Sequence, residues 1–186
     1  MLIDFSKIDI KEKVSDADTT DIVISSDLAI GHLNKSVKPK LVSNCGFQFV
    51  SNGHWSMHQL LQVMLAVSGP ADVYISSYAF SELPARAIAE CKENGLIRQL
   101  NCIIDNRIDV RSAGALQLIK NTADKLKLCA THAKVTVVNN DTFHFIVISS
   151  ANYTVNKRYE SGIIAESNDV AMWNIKWIMD EINRFD

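Results

Sequence analysis

The sequence predicts an α/β domain: a mixed, mainly parallel sheet flanked by helices on both faces. Three observations carry this expectation. Short apolar, β-branched runs alternate with segments of helical period up to about residue 130, the pattern of parallel strands joined by helical crossovers. Two further apolar runs are then separated only by Asn139-Asn140-Asp141, which reads as a hairpin and adds an antiparallel pair. The chain has 186 residues, 47% of them hydrophobic, enough for one domain with a real core.

The elements follow in order. Residues 1–40 read as an N-terminal extension of unclear structure, and 41–186 as the domain. Asp4 to Asp21 is polar with weak periodicity, Ile22-Val23-Ile24 suggests a short strand, and Leu28 to Leu33 a helical turn. Lys35, Lys38 and Lys40 around Pro39 read as a solvated linker. Cys45 to Val50 is expected as a strand closed by Ser51-Asn52-Gly53. Ser56 and Gln59 fit a capping box, Met57, Leu60, Leu61, Met64 and Leu65 repeat at helical spacing, and Gly69-Pro70 stops the helix. His54 and His58, four apart, read as a surface or core-edge pair rather than metal ligands, because no third ligand is evident.

Val73 to Tyr78 is a strong strand. Ser81 is expected to cap a helix over 82–94 that tolerates Pro84 in its first turn and ends at Gly95. Leu96 to Ile104 is the next strand and Asp105 to Arg111 a polar loop. Ser112 is expected to cap a helix reaching about Leu126, with Gly114 weakening its start, and Leu126 to Ala130 to form a short strand. Thr131 to Asn139 and Phe143 to Ser149 make the hairpin, Glu160 to Ala165 another strand, and Asn168 caps a final helix through Phe185. Val170, Trp173, Trp177 and Ile178 fall on or near that helix's apolar face and are expected to pack on the sheet.

Composition excludes some functions. The formal net charge is −2, which argues against wholesale coating of a polyanion but leaves room for a local basic groove. The N-terminus lacks a basic segment followed by an apolar one, and Met57 to Val67 is too short and polar to span a bilayer, so the expected location is cytoplasmic, without a membrane partner. Cys45, Cys91, Cys102 and Cys129 show no CxxC spacing and read as buried reduced thiols.

The chemistry concentrates around residue 132. Within Thr131 to Asn139, strand alternation turns His132 and Lys134 to one face, roughly 7 Å apart along the backbone. Neutral His132 can attack phosphorus, its protonated form can donate to a leaving oxygen, and Lys134 suits non-bridging phosphate oxygens. Ser150 and Asn152 share parity on the returning strand and add donors where charge develops. Glu160 could accept from an imidazole nitrogen and fix its tautomer. Lys157 and Arg158 just downstream, and Arg107 and Arg111 from the polar loop, are candidates for neighbouring phosphates. This set carries its own positive charge, so neither a metal nor another cofactor is expected.

His132-x-Lys134-x4-Asn139, then Ser149-Ser150-x-Asn152 and Glu160, resembles the His-x-Lys-x4-Asp (HKD) and Gly-Ser-x-Asn signature of the phospholipase D superfamily. The likeness covers roughly residues 55 to 186 and is closest to the short, single-motif, nuclease-like members. It implies a phospholipase D-like fold and a metal-independent phosphodiesterase, an endonuclease cleaving DNA or RNA through a phosphohistidine. It also implies a homodimer with the site at the two-fold axis, since the chain has one motif and the mechanism needs two histidines. Two positions depart from the pattern: Asn139 replaces the acidic residue, where it supports the motif turn, and Ser149 replaces a glycine, where its hydroxymethyl could crowd a phosphate. These departures keep open a catalytically weak module that binds nucleic acid or protein. A lipid phosphodiesterase is disfavoured by the single motif and the absence of an apolar anchor.

Overall fold

The computed structural model describes residues 9–15, 26–155 and 157–184, with side chains from residue 28 onward. The expected strand at Ile22-Val23-Ile24 and the helix end at Phe185 lie outside the described residues. The strands are β1 (Asp9–Ser15), β2 (Cys45–Val50), β3 (Ala71–Ser77), β4 (Ile97–Asp105), β5 (Lys125–Cys129), β6 (Val135–Asn139), β7 (His144–Ser149) and β8 (Ser161–Glu166). The helices are α1 (Ser26–Ser36), α2 (Met57–Ser68), α3 (Glu82–Glu93), α4 (Ile108–Arg111), α5 (Ala113–Thr122) and α6 (Asn168–Ile182).

The described strands form one sheet in the order β1-β2-β8-β7-β6-β3-β4-β5. β1 with β2, β3 with β4 and β4 with β5 pair parallel, while β6 and β8 run against their neighbours. Most strands therefore share one direction in a mixed sheet, and helices cover both faces, as the alternation predicts. Period-two alternation sends Val135, Val137 and Ile146 to Val170 and Ala171 of α6, and Val138, Phe145 and Val147 to the larger core. That core is filled from α1, α2, α3 and α5, including Leu33, Leu60, Met64, Ile88 and Ile119.

The helix signals act largely as read. The Ser56 N–H donates to Gln59 Oε1 at 2.8 Å in the capping box, and Gly69 ends α2 at φ 75°, a conformation costly for a side chain. Other boundaries move. α5 stops at Thr122 rather than near Leu126, because Asp124 turns out to accept from the Leu100 N–H at 2.7 Å and from Lys92 Nζ at 2.6 Å, feeding β5 beside β4. The polar loop after β4 contains the helical turn α4, anchored by buried Ile108. Ser81 and Ser112 hold their N-cap positions without a side-chain cap bond. The cap of α6 is Ser167, one residue before Asn168, and its Oγ accepts from the Val170 N–H at 3.5 Å. Trp173 is 42% exposed instead of packed, whereas Trp177 donates its indole N–H to Asn174 Oδ1 at 3.0 Å.

The hairpin is held by a residue the turn reading did not single out. Buried Asn140 donates through Nδ2 to the Ser68 and Pro70 carbonyls at 2.9 and 3.3 Å. Its Oδ1 accepts from the Thr142 and Phe143 N–H groups at 2.9 and 2.8 Å. One amide thus ties the β6–β7 turn to the end of α2. Asn140→Ala is expected to lower unfolding free energy by about 2–3 kcal/mol in denaturant titration, because four backbone groups lose their partner. Asp141→Ala, an exposed neighbour, should change it by less than about 0.5 kcal/mol.

His58 is buried in α2, its Nδ1 has no hydrogen-bond partner, and burial pushes its pKa down to about 4 from 6.5. The described residues contain no group of three or more ligands suited to a metal. Because burial disfavours the charged imidazole, protonation favours the unfolded chain. Stability should be full above pH 6.5 and fall as pH drops towards 4, by up to about 3 kcal/mol from this residue. His58→Leu should flatten that part of a stability-versus-pH curve measured by urea unfolding.

Candidate active site

The sheet topology gathers the site. The C-terminal ends of β3, β4 and β7 and the N-terminal ends of β6 and β8 lie at the same sheet end, because β6 and β8 run opposite to the others. Polar residues gather at this end, the usual position for ligands in α/β sheets.

His132 and Lys134 do meet, but not as alternating residues of a strand. β6 begins only at Val135, and Thr131 to Lys134 form a loop ahead of it. The loop is diverted from the ladder by side chains. Ser76 Oγ donates to the Ala133 carbonyl at 3.2 Å and lies 3.3 Å from Thr131 Oγ1. The Asp105 carboxylate accepts from the Thr131 N–H. Lys134 then folds back, its Nζ donating to the His132 carbonyl at 2.8 Å and lying 3.3 Å from His132 Nδ1. His132 is exposed and Lys134 half-buried. Partial burial lowers the Lys134 pKa, opposed by the Glu160 carboxylate and by Tyr78.

The returning side joins the same end. Ser150 and Asn152 follow β7 in an irregular segment instead of extending the strand. Ser150 Oγ donates to Glu160 Oε2 and accepts from the Ser161 N–H at 3.1 Å. Glu160 sits just before β8, where its carboxylate both binds Ser150 and acts on Lys134. Asn152 Oδ1 accepts from Ser77 Oγ at 3.5 Å, and the following Tyr153 is locked by its hydroxyl at 2.8 Å from Thr136 Oγ1.

The two departures from the motif have local partners. Asn139 Oδ1 lies 2.7 Å from His144 Nδ1, closing the hairpin at a cross-strand pair. Ser149 points away from His132: its Oγ contacts Met57 Sδ at 3.7 Å and accepts from the Ala151 N–H at 3.2 Å. Opposite it stands Gly162, where a Cβ would lie 2.6 Å from Ser149 Cβ and from the Ile148 carbonyl. The hydroxymethyl group is therefore housed by a glycine across the strand pair.

Of the four outlying cations, Arg107 and Arg111 enter the site. Arg107 Nε and Nη2 grip Asp105 Oδ1 and Oδ2 at 2.6 and 3.2 Å. Lys157 and Arg158 are exposed, and the Lys157 backbone runs against Gly53 of the β2–α2 turn.

Two important residues were not singled out by the sequence reading. Tyr78 lies at the centre: its ring centroid is 4.7 Å from that of His132, 4.8 and 4.7 Å from the Cζ of Arg107 and Arg111, and 5.4 Å from Lys134 Nζ. Asp105 ends β4 with a side chain only 1% exposed and ties both Arg107 and the Thr131 loop. The available signal was positional: each lies at the C-terminal end of a strong parallel strand.

Comparison with solved structures places the fold. A phospholipase D family member, Nuc from Salmonella typhimurium, superposes with a TM-score of 0.53 at 20% identity, over 66% of this chain and 86% of its own. NucT from Helicobacter pylori matches with a TM-score of 0.55 at 16% identity, over 73% of this chain and 94% of its own. Polyphosphate kinase from Porphyromonas gingivalis gives 0.56 at 13% identity, over 84% of this chain but 30% of the kinase. The chain thus has the phospholipase D-like fold. No family model matches it, nor does any curated protein by sequence. Among the described residues no helix is long and apolar enough to cross a membrane.

The hydrogen bonds from Arg107 hold the Asp105 carboxyl at about 2, below its ordinary 3.8. Charged Asp105 therefore favours the folded state fully above pH 3.8, and the contribution is lost as pH falls towards 2. The stability difference between wild type and Asp105→Asn should be constant from pH 5 to 7 and shrink below about pH 4, as read by thermal melts across that range.

Proposed function

We propose that this protein is a metal-independent phosphodiesterase, a nuclease that cleaves DNA or RNA through a phosphohistidine in a homodimeric site. The observation that carries the reading is the convergence of His132, Lys134, Ser150, Asn152 and Glu160 at one sheet end, although they come from three separate segments. The fold shared with Nuc and NucT supports it.

In the mechanism, a nitrogen lone pair of His132 attacks phosphorus. A P–N bond forms, the P–O bond to the leaving alcohol breaks, and the alcohol takes a proton from a second imidazole. Water then loses a proton to that imidazole and attacks phosphorus, releasing His132 and the phosphomonoester. The second imidazole is the partner subunit's His132, which is why the active species is a dimer. Lys134 and the Asn152 amide stabilise the non-bridging oxygens as charge builds, and Glu160 holds Ser150 and balances Lys134.

The resting contact adds a step. A protonated lysine only donates, so Nδ1 of His132 is the acceptor facing Lys134 Nζ at 3.3 Å. A bound phosphate competes for that ammonium. Drawing Lys134 to phosphate frees Nδ1 to carry the ring proton and leaves Nε2 bare for attack.

Single- and double-stranded DNA and RNA, incubated in excess chelator, test the reading. Cleavage should persist, and His132→Ala should lower it by at least about 1,000-fold. Loss of wild-type cleavage in chelator would overturn the metal-independent reaction. Full activity from a protein that sediments only as a monomer would overturn the two-histidine mechanism.

A further inference from the structure

We propose that Tyr78, Arg107 and Arg111 form a second anion subsite that takes the phosphate next along a nucleic-acid strand from the one cleaved at His132. The inference deepens the phosphodiesterase reading and rests on it for the identity of the first phosphate position.

Arg107 and Arg111 sit at a telling spacing. They are four residues apart, so the α4 turn presents both on one side, with buried Ile108 fixing the turn below them. Both guanidinium carbons lie within 4.8 Å of one aromatic centroid. Two like charges drawn to one ring repel each other, and solvated surface arginines would diverge. Asp105 compensates one of them: its side chain is 1% exposed and grips Arg107 through two nitrogens, which orients that guanidinium rigidly. Arg111 is exposed and has no ion pair with a described carboxylate, so its donors remain available to a ligand.

The same Tyr78 ring also borders His132 and Lys134. By these distances no two of the four groups lie more than about 10 Å apart, about one Debye length at 0.1 M salt, so their charges act on the same stretch of strand. An isolated diester needs only the first position, whereas a polyanion satisfies both. The overall charge of −2 makes this cluster a local exception, the arrangement that draws a polyanion to one place on the surface.

Binding separates this proposal from the catalytic one. In the His132→Ala background the strand stays intact, and the affinity of a labelled oligothymidylate is read by fluorescence anisotropy over a range of salt. The methyl diester of thymidine 5′-monophosphate serves as a competing ligand with one phosphate. Arg111→Ala should weaken oligothymidylate binding about tenfold and make its log–log salt slope shallower by about 0.7, the value for one lost single-strand phosphate contact. The loss for the single diester should be clearly smaller. Tyr78→Leu should reproduce the oligothymidylate loss, and Tyr78→Phe, which keeps the ring, should restore it. For Arg111→Ala, equal weakening of both ligands, or of neither, would overturn the subsite. If this binding pattern holds while wild type cuts no nucleic acid, the subsite stands and the phosphodiesterase reading falls. If wild type cuts but Arg111→Ala alters neither affinity nor slope, the reverse is true.

Discussion

The antiparallel seam between β3 and β6 is the constraint on which the site depends. Ser76 pairs with Val135 and Val73 with Val138, so the register delivers the loop before β6 onto the end of β3. Val137 and Val138 are completely buried on opposite faces, against α6 and the larger core respectively. A one-residue slip would exchange those faces, and two cores oppose it. The position of His132 beside Tyr78 is thus set by hydrophobic burial several residues away.

Once the register is set, short polar contacts shape the loop. Ser76 and Asp105 take backbone groups of Thr131 and Ala133 that a strand would have given to the ladder. This explains why the reading of Thr131 to Asn139 as one strand located the chemistry and yet missed its geometry. Strand alternation predicted that His132 and Lys134 would face the same way. They do meet, but through a lysine folded back on the preceding carbonyl. The sequence signal was the pair itself, and what shapes it comes from strands distant in the chain.

The same distinction explains the rest of what was legible. Periodicity and turn residues located β2, β3, β4, α2 and α3 closely, since each is specified by its own apolar pattern and stop signal. Contacts between distant residues were not legible. Asp124 ends α5 by bonding to β4, Asn140 ties its turn to α2, and Gly162 makes room for Ser149 across a strand pair. A motif alone does not show where the Ser149 hydroxyl goes; the fold turns it towards Met57. The Asn139 and Ser149 side chains thus each have local partners, His144 in one case and Met57 with the Ala151 N–H in the other.

The electrostatic arrangement follows the same logic of compensation. Arg107 and Lys134 face the carboxylates of Asp105 and Glu160, and each carboxylate also holds a second group: the Thr131 N–H in one case, the Ser150 hydroxyl in the other. Each acid therefore links a cation to the part of the backbone that carries the proposed nucleophile or its neighbouring donor. A purely structural ion pair would need only to be satisfied. Asp105 fixes Arg107 through two nitrogens, whereas Lys134 is placed by the His132 carbonyl and feels the Glu160 charge. In the proposed reaction such positioned charge stabilises the phosphoryl transition state, with Lys134 the one group that moves from its resting contact to phosphate. The sheet end thus contributes orientation as much as charge: Asp105 sets Arg107 and the Thr131 loop, and Glu160 sets Ser150, around the histidine and lysine that first mark the site.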